Sequence, residues 1–248
     1  MSECQLDETL RELGLIRMAE IVTARLRLSA DNKWSCKRFL REMLEEEAAY
    51  RRQRTLELRI QRAKLPELWS LETFPFEAQP GVDKKQILEL AELDFIRQGI
   101  NIVLIGRAGV GKTGLASGLL LKALLNGHTG MMWKTQNLLD ELHRSIADRK
   151  TKALLSRLSR LEVLLADEMG YLCLNSDQTN LFFKLMDLRY ERKLPTLITT
   201  NLGYDEWGSF LKSEAMVGAL LSRLRQRCVT LVIDGPDLRA QKPPAAKR

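Results

Sequence analysis

The stretch that decides the fold is Gly106-Arg107-Ala108-Gly109-Val110-Gly111-Lys112-Thr113, which fits the phosphate-binding pattern G-x-x-x-x-G-K-[ST] at every fixed position. The glycines allow the backbone to curl so that its N–H groups point at an anion. Lys112 is expected to reach the β- and γ-phosphates of a nucleotide, and the Thr113 hydroxyl to ligate Mg²⁺. The eight residues and Gly114 are therefore the predicted ATP-binding residues.

The sequence on either side of this loop supports the same interpretation. Residues 101–105 are a short apolar run, which is typical of a buried strand. Residues 114–125 contain no proline and carry leucine and alanine at helical spacing. A helix that begins directly after the loop points its N-terminal dipole at the phosphates. This context disfavours the alternative, a glycine-rich turn that matches the pattern by chance.

A second motif follows the apolar run 161–166, which ends in Asp167-Glu168. Asp167 is predicted to hold Mg²⁺ at the carboxyl end of this strand, and Glu168 to polarise the water that attacks the nucleotide. Adjacent residues on a strand point in opposite directions, so the two carboxylates can serve the metal and the water separately.

Five apolar segments alternate with helical ones, which predicts an α/β fold with a parallel five-stranded sheet covered by helices on both faces. The predicted strands are residues 101–105, 131–133, 161–168, 195–201 and 229–233. Ligands bind such sheets at the carboxyl ends of the strands. Asn201 ends the fourth strand and is a candidate for a hydrogen bond to the attacking water or the γ-phosphate; the alternative is a turn cap.

Three arginines lie close together in residues 219–227, before the last strand. Arg223 is predicted to act as an arginine finger that stabilises γ-phosphate charge in a neighbouring subunit. The alternative is surface charge on an amphipathic helix.

The rest of the chain divides into four predicted regions. Residues 1–66 form a helical N-terminal domain that ends at Pro66, residues 67–82 a linker, residues 83–240 the nucleotide-binding domain, and residues 241–248 a disordered basic tail. A helix capped by Asp83 is expected to run to Gly99. Phe74 and Phe76 are expected to attach the linker to the core, although packing beside a bound base is an alternative.

The formal net charge of the 248 residues is +7, with a pI of about 9.3, which favours an anionic partner. Basic residues outnumber acidic ones between residues 33 and 64, and again between residues 141 and 160. The candidate DNA-binding residues are Arg51, Arg52, Arg59, Arg62, Arg149, Lys150, Lys152 and Arg157. The alternative for both segments is a solvated helix whose charges pair locally.

Other site classes are disfavoured by composition. The four cysteines form no C-x-x-C pair, and neither histidine lies in a metal-ligand pattern, so zinc and a disulfide framework are not expected. The polar N-terminus does not resemble a signal peptide, and no apolar run is long enough to span a membrane. A location in a reducing cytoplasm is predicted.

Several motifs together resemble those of the IstB/DnaC-like AAA+ ATPases, over essentially the whole chain. They are residues 74–77 and 83–87 before the first strand, the loop 106–113, Asp167-Glu168-Met169-Gly170-Tyr171-Leu172, Arg189-Tyr190-Glu191-Arg192, Thr199-Thr200-Asn201 and Tyr204-Asp205-Glu206-Trp207-Gly208. The chain departs from the family at Arg107-Ala108, where two prolines are usual. It has no clear second sensor arginine, and Arg239 is the only late candidate.

The resemblance implies an ATPase that binds ATP and Mg²⁺ and forms an ATP-dependent homo-oligomer, a ring or a spiral. It also implies binding to double-stranded DNA with little sequence preference, regulation of target choice and activation of the transposase of an insertion sequence. The location that it implies is the bacterial cytoplasm, in association with the nucleoid. One alternative is a DnaC-like loader of a replicative helicase. Another is a DNA-binding adaptor in which the nucleotide has only a structural role.

Overall fold

The computed structural model describes residues 3–170, 175–211 and 214–240. Contacts divide the chain into two compact units, Met1–Leu58 and Arg59–Arg248. The predicted tail, 241–248, and the Tyr171-Leu172 part of the acidic motif lie outside the described residues.

The first unit is built from three helices, α1 (Glu3–Glu12), α2 (Ile16–Asp31) and the larger part of α3 (Cys36–Ala63). Gly14, two residues after the end of α1, has φ 70°, a left-handed conformation in which glycine commonly ends helices. The small core contains the buried residues Leu10, Met18, Ala19, Val22 and Met43. This unit therefore has an apolar centre of its own.

The division between the units falls within α3 and not at Pro66, where the sequence analysis placed it. The reason is that Ile60, Ala63 and Leu65 contact the hydrophobic core of the second unit. Residues 71–82 also belong to this core, since Leu71, Phe74 and Val82 are buried in it. The predicted linker is thus a packed part of the second unit.

The second unit alternates helices and strands. In chain order its elements are α4 (Lys84–Ala91), α5 (Asp94–Gln98), β1 (Asn101–Gly106), α6 (Lys112–Leu125), β2 (Gly130–Lys134), α7 (Thr135–Ala147), α8 (Thr151–Leu158), β3 (Val163–Met169), α9 (Ser176–Glu191), β4 (Thr196–Thr200), α10 (Trp207–Leu211), α11 (Glu214–Gln226) and β5 (Cys228–Ile233). Short 3₁₀ turns occupy Leu71–Thr73, Phe76–Ala78 and Tyr204–Glu206.

The five strands form one parallel sheet in the order β2-β3-β4-β1-β5. Ile102 and Leu104 of β1 face a core shared with α6, whereas Val103 faces a second core that contains Phe182 of α9 and Trp207 of α10. Helices therefore cover both faces, and the predicted α/β P-loop fold is confirmed. The strand order brings the carboxyl ends of β1, β4 and β3 next to one another.

One predicted helix is divided in two. Asp83 caps α4, since its Oδ1 accepts the N–H groups of Lys85 and Gln86 at 2.8 and 3.3 Å. The helix does not run on to Gly99, because Leu93 adopts a left-handed conformation with φ 65° between α4 and α5. Leu93 is buried in the core at this turn. The free energy gained by this burial outweighs the local preference of the sequence for a continuous helix.

Phe74 and Phe76 pack against the same core, with ring centroids 4.9 Å apart in an edge-to-face arrangement. The attachment expected for them is therefore confirmed. Among the helices that the structure describes, none is long and apolar enough to cross a membrane.

Candidate nucleotide-binding site

The phosphate loop connects β1, which ends at Gly106, to α6, which begins at Lys112. Gly109 and Gly111 have φ values of 82° and 94°, which a residue with a Cβ rarely adopts. The Lys112 Nζ donates hydrogen bonds to the carbonyl oxygens of Gly106 and Arg107, both at 2.7 Å. Burial lowers the pKa of Lys112, and the negative charge of Asp167 opposes this effect. The positive φ of the two glycines agrees with the predicted curl of the loop, and its binding of phosphates stays a prediction.

Asp167 is 1% exposed at the carboxyl end of β3 and is the centre of a hydrogen-bond network. Its Oδ1 accepts the hydroxyl of Thr113 at 2.9 Å and the hydroxyl of Thr199, on β4, at 2.6 Å. Burial raises the pKa of Asp167, although these two hydrogen bonds favour its ionised form. The structure therefore brings the two predicted metal ligands together and adds Thr199, which the sequence analysis did not assign.

The oxygen atoms of Thr113 and Asp167 suit Mg²⁺, which prefers hard oxygen ligands. Within the described ranges, no group of three or more His, Cys, Asp or Glu side chains could hold a metal ion. Mg²⁺ commonly binds through one or two protein oxygens together with substrate phosphates and water. The donor set beside the phosphate loop fits that type of site.

Glu168 lies at an irregularity of β3, where the pairing with β4 shifts between Ala166 and Met169. Its φ is 57°, and its N–H donates to the Thr199 hydroxyl at 2.9 Å. The side chains of Asp167 and Glu168 do contact different partners. The cause is the left-handed backbone of Glu168 and not the regular alternation of side chains along a strand. Asp167 contacts Thr113, whereas Glu168 contacts Lys134.

Lys134, the last residue of β2, forms an ion pair with Glu168, with 3.0 Å between Nζ and Oε2. The hydrogen bond to Glu168 raises the pKa of Lys134. Lys134 was not among the residues predicted from the sequence, although a polar residue at the carboxyl end of a second strand was a usable signal.

A cleft of about 860 Å³ extends from the phosphate loop, a size typical of a small-molecule site. One side is polar and includes Lys112, Lys134 and Asp167. The other side comes from the segment before α4 and includes Trp69 and Phe74. Trp69 is a further residue that the sequence analysis did not assign, and its aromatic ring supplies an apolar surface beside the phosphate site.

Asn201 is exposed directly after β4, and in this structure Thr199 and Thr200 line the cleft in its place. The predicted role of Asn201 toward water or the γ-phosphate stays a prediction. Ala108, Gly109, Gly111 and Gly114 line the cleft, and Val110 is buried. Gly106 and Arg107 contact Lys112 through their carbonyl oxygens, and Arg107 is exposed. The role of these residues in binding ATP stays a prediction.

Arg223 lies away from the cleft of its own chain. It lines a small pocket with Asn101 and Thr196, the first residues of β1 and β4, and so it is at the amino edge of the sheet. Its guanidinium pairs with Asp187 and lies 5.5 Å from the ring centroid of Phe183. An action of Arg223 on a nucleotide would therefore require a second subunit.

The candidate DNA-binding residues differ in their environments. Arg51 is bound within the first unit, where it donates to Glu47 Oε1 and to the Gly14 carbonyl, both at 2.9 Å. Arg52 and Arg62 are exposed on α3, and Arg59 is half-buried. The second group is exposed at the turn between α7 and α8 and along α8: Arg149, Lys150, Lys152 and Arg157.

Known proteins that are similar to this chain are named for ATP binding. The model of the family of IstB-like ATP-binding proteins matches residues 8–246. A protein of insertion sequence IS21 from Pseudomonas aeruginosa, named for ATP binding, is 34% identical over 238 residues, which are 96% of this chain and 89% of that protein. A protein of insertion sequence IS5376 from Geobacillus stearothermophilus, named in the same way, is 31% identical over 96% of this chain and 94% of its own length.

Solved structures share the fold. The DnaC helicase loader is 24% identical with a TM-score of 0.56, and the match covers 67% of this chain and 97% of DnaC. DnaA from Aquifex aeolicus, in its AMPPCP-bound structure, is 16% identical with a TM-score of 0.57, over 69% of this chain and 51% of DnaA. Because the family model spans nearly its whole length, the chain belongs to the family of IstB-like ATP-binding proteins.

Proposed function

We propose that the chain is a DNA-stimulated ATPase that assembles on double-stranded DNA and assists the transposase of its insertion sequence in target selection and strand-transfer activation. The proposed ATPase activity is supported by the grouping of Thr113, Asp167 and Glu168 near the phosphate loop. The carboxyl ends of β1, β4 and β3 meet there.

In this proposal the loop N–H groups and Lys112 bind the phosphates, and Thr113 and Asp167 hold Mg²⁺. Mg²⁺ would supply positive charge that neutralises the phosphate oxygens. Glu168 positions the attacking water and accepts its proton, with Asn201 as a second contact to the water. The Lys134 ammonium pairs with the Glu168 carboxylate, so this pair must loosen before Glu168 can act on water.

Arg223 would act on the nucleotide of a neighbouring subunit in an ATP-dependent ring or spiral. Its place at the edge of the sheet opposite its own cleft supports an action between subunits. To reach a neighbour, its guanidinium would have to leave Asp187. Mixing inactive Arg223→Ala and Lys112→Ala proteins tests this role. Mixed assemblies that regain part of the activity support a shared site, and mixtures that stay inactive count against it.

Two observations favour DNA and a transposase as partners. The relatives are named as proteins of insertion sequences, and this chain carries a formal net charge of +7 with exposed basic residues on α3 and α8. Lysine and arginine bind the phosphates of DNA without reading its sequence. We therefore expect this chain to bind DNA with little preference for the DNA sequence.

The deciding experiment measures ATP hydrolysis with and without duplex DNA, and particle size with a non-hydrolysable ATP analogue. Stimulation by DNA together with a large ATP-dependent assembly supports the proposal. Glu168→Gln should retain assembly and lose turnover by about 100-fold or more, whereas Lys112→Ala should lose both. Slow hydrolysis by a monomer that does not respond to DNA would favour an adaptor, and capture of a hexameric helicase in place of a transposase would favour a loader.

A further inference from the structure

Three stretches of backbone that are far apart in sequence meet at the phosphate loop. They are residues 79–81 before α4, the loop itself, and residues 233–238 at and after the end of β5. A Cβ built on Gly81 would lie 2.1 Å from the Asp234 carbonyl oxygen, and one built on Gly106 would lie 2.4 Å from the last carbonyl oxygen of β5. Cβ atoms in proteins do not approach other atoms this closely, so each glycine allows two backbones to touch. The three stretches therefore form one close-packed junction.

The fully buried side chain of Gln79 lies in this junction. Its Nε2 donates to the Val110 carbonyl in the phosphate loop and to the Pro236 carbonyl after β5, both at 3.1 Å. The Gln79 backbone is held by its own turn, since its N–H donates to the Phe76 carbonyl and its carbonyl accepts the Val82 N–H, both at 3.2 Å. A fixed backbone thus carries an amide that joins the other two stretches.

The hydrogen bond from Gln79 orients a peptide group of the loop. The Val110 carbonyl belongs to the peptide group that also carries the Gly111 N–H. The peptide bonds of the loop are trans, so this N–H points away from the carbonyl. Gly111 lines the nucleotide cleft, whereas Gln79 is fully buried. Holding the Val110 carbonyl toward Gln79 therefore turns the Gly111 N–H toward the cleft.

This peptide group needs a partner because glycine follows it. Gly111 has a φ of 94°, and glycine permits a wide range of φ, so the group can rotate at little cost. A rotated group would present the Val110 carbonyl oxygen, the negative end of the peptide dipole, to the cleft in place of the N–H. Phosphate binding would then be weaker, because inward-pointing N–H groups are what attracts an anion to such a loop.

The other end of the Gln79 amide has a cost for the fold. Its Oε1 is buried and, in the part of the chain that the structure describes, accepts no hydrogen bond. A buried acceptor without a donor destabilises the folded state, so an apolar side chain would suit core packing better. This favours a role of the amide donor at the loop beyond packing.

We propose that Gln79 is a positioning residue for phosphate binding: it holds the Val110 carbonyl so that the Gly111 N–H faces a phosphate group of the nucleotide. Gln79 acts through the loop and does not touch the nucleotide. The inference rests on the proposed binding of ATP in this cleft, and it adds a residue from the segment before α4.

The test compares equilibrium affinities for ATPγS and ADP, with Mg²⁺, in the full chain. Gln79→Met keeps about the same side-chain length and removes the amide. It should weaken both nucleotides by a similar factor, about 10-fold, because the loop is expected to contact phosphates that both contain. In steady-state hydrolysis the KM for ATP should rise and kcat should change less, since the loop binds the phosphates alike before and during the reaction.

Gln178→Met is the matched control for stability. Gln178 is also buried, and its Nε2 donates to the Asp140 Oδ1, on α7, at 3.0 Å. This variant should lower the melting temperature and leave both nucleotide affinities unchanged. A loss of affinity in Gln79→Met that Gln178→Met does not share therefore comes from the loop and not from a weaker fold.

Gln79→Asn is a milder second variant, and it decides the result if Gln79→Met does not fold. It keeps the amide but is one methylene shorter, so it cannot reach both carbonyls, and it should lose about threefold in affinity. Affinities equal to those of Gln178→Met, or a loss confined to kcat, would overturn the assignment.

Lys112→Ala separates a failure of this inference from a failure of the proposed function, since it should weaken both nucleotides. If Lys112→Ala binds both as tightly as the unsubstituted protein, the cleft is not the nucleotide site and both proposals fail. If Lys112→Ala loses affinity and the Gln79 variants do not, the cleft stands and the role of Gln79 is rejected.

Discussion

The Lys134 Nζ lies 3.0 Å from the Glu168 Oε2, so the residue expected to activate water is held by a cation from a different strand. The pair is partly exposed, with side-chain exposures of 59% and 39%. Exposed ion pairs contribute about 0.2–1 kcal/mol, which is enough to bias the position of Glu168 without locking it.

Replacing Lys134 should therefore raise basal ATP hydrolysis. We expect Lys134→Met to increase the rate without DNA by about two- to fivefold, because Glu168 no longer has to leave its partner. Steady-state phosphate release measures the effect. Lys85→Met is a matched control, since Lys85 pairs with Glu89 on the surface of α4. A basal rate that falls in Lys134→Met would show that Lys134 itself assists the reaction.

Asp167 should reduce the stability of the nucleotide-free protein at neutral pH. Burial raises its pKa, so the folded protein holds the proton more tightly than the unfolded chain does. The contribution of this carboxyl to stability is greatest below its ordinary pKa and is lost as the pH rises through the raised value. Asp167→Asn should thus stabilise the protein at neutral pH, and the gain should shrink on acidification.

Thermal unfolding between pH 5 and pH 8 checks this prediction. The same variant should lose the Mg²⁺-dependent part of its nucleotide affinity, so that chelation of Mg²⁺ no longer changes binding. A lower melting temperature for Asp167→Asn at neutral pH would contradict the expected sign.

Thr199 connects the two acidic residues, since its hydroxyl donates to the Asp167 Oδ1 and accepts the Glu168 N–H. Thr199→Val keeps the volume and removes both hydrogen bonds in a buried place. We expect a loss of about 1–3 kcal/mol in the free energy of unfolding and lower turnover. Thr199→Ser retains the hydroxyl and should keep most of the activity. Denaturant unfolding and phosphate release are the measurements, and equal activity of the two variants would rule out the role.

Arg51 and Arg52 are adjacent on α3 but should give different phenotypes. Arg51 neutralises Glu47, which is 3% exposed and also accepts the Met18 N–H at 3.0 Å, so Arg51→Ala should lower the melting temperature. Arg52 is exposed and has no carboxylate within ion-pair distance in the described ranges, so Arg52→Ala should leave stability unchanged.

If α3 contacts DNA, Arg52→Ala should also reduce the slope of log affinity against log salt by about 0.9. The same measurement on Lys152→Ala tests α8. Slopes that match the unsubstituted protein in both variants would place the DNA contacts elsewhere.

The phosphate loop was predictable from sequence because its geometry depends on consecutive residues. Glycine at positions 109 and 111 permits positive φ, and a strand before and a helix after the loop follow from local hydrophobic patterns. The α/β class and the position of Asp167 at the end of a strand were predictable for the same reason, since both follow from local hydrophobic patterns. Local patterns were not sufficient at Leu93, where burial divides a continuous helical pattern.

The sequence by itself determined the five strands, the phosphate loop and the acidic strand end, because each depends on residues that are close along the chain. Only the tertiary structure decided which side chains meet. The strand order β2-β3-β4-β1-β5 brings Lys134 to Glu168 and Thr199 to Asp167, and the packing of the chain after β5 brings the Leu238 N–H to the Gly109 carbonyl of the phosphate loop. Those partners are far apart in sequence, and their contacts depend on strand pairing and core packing, which no local pattern encodes.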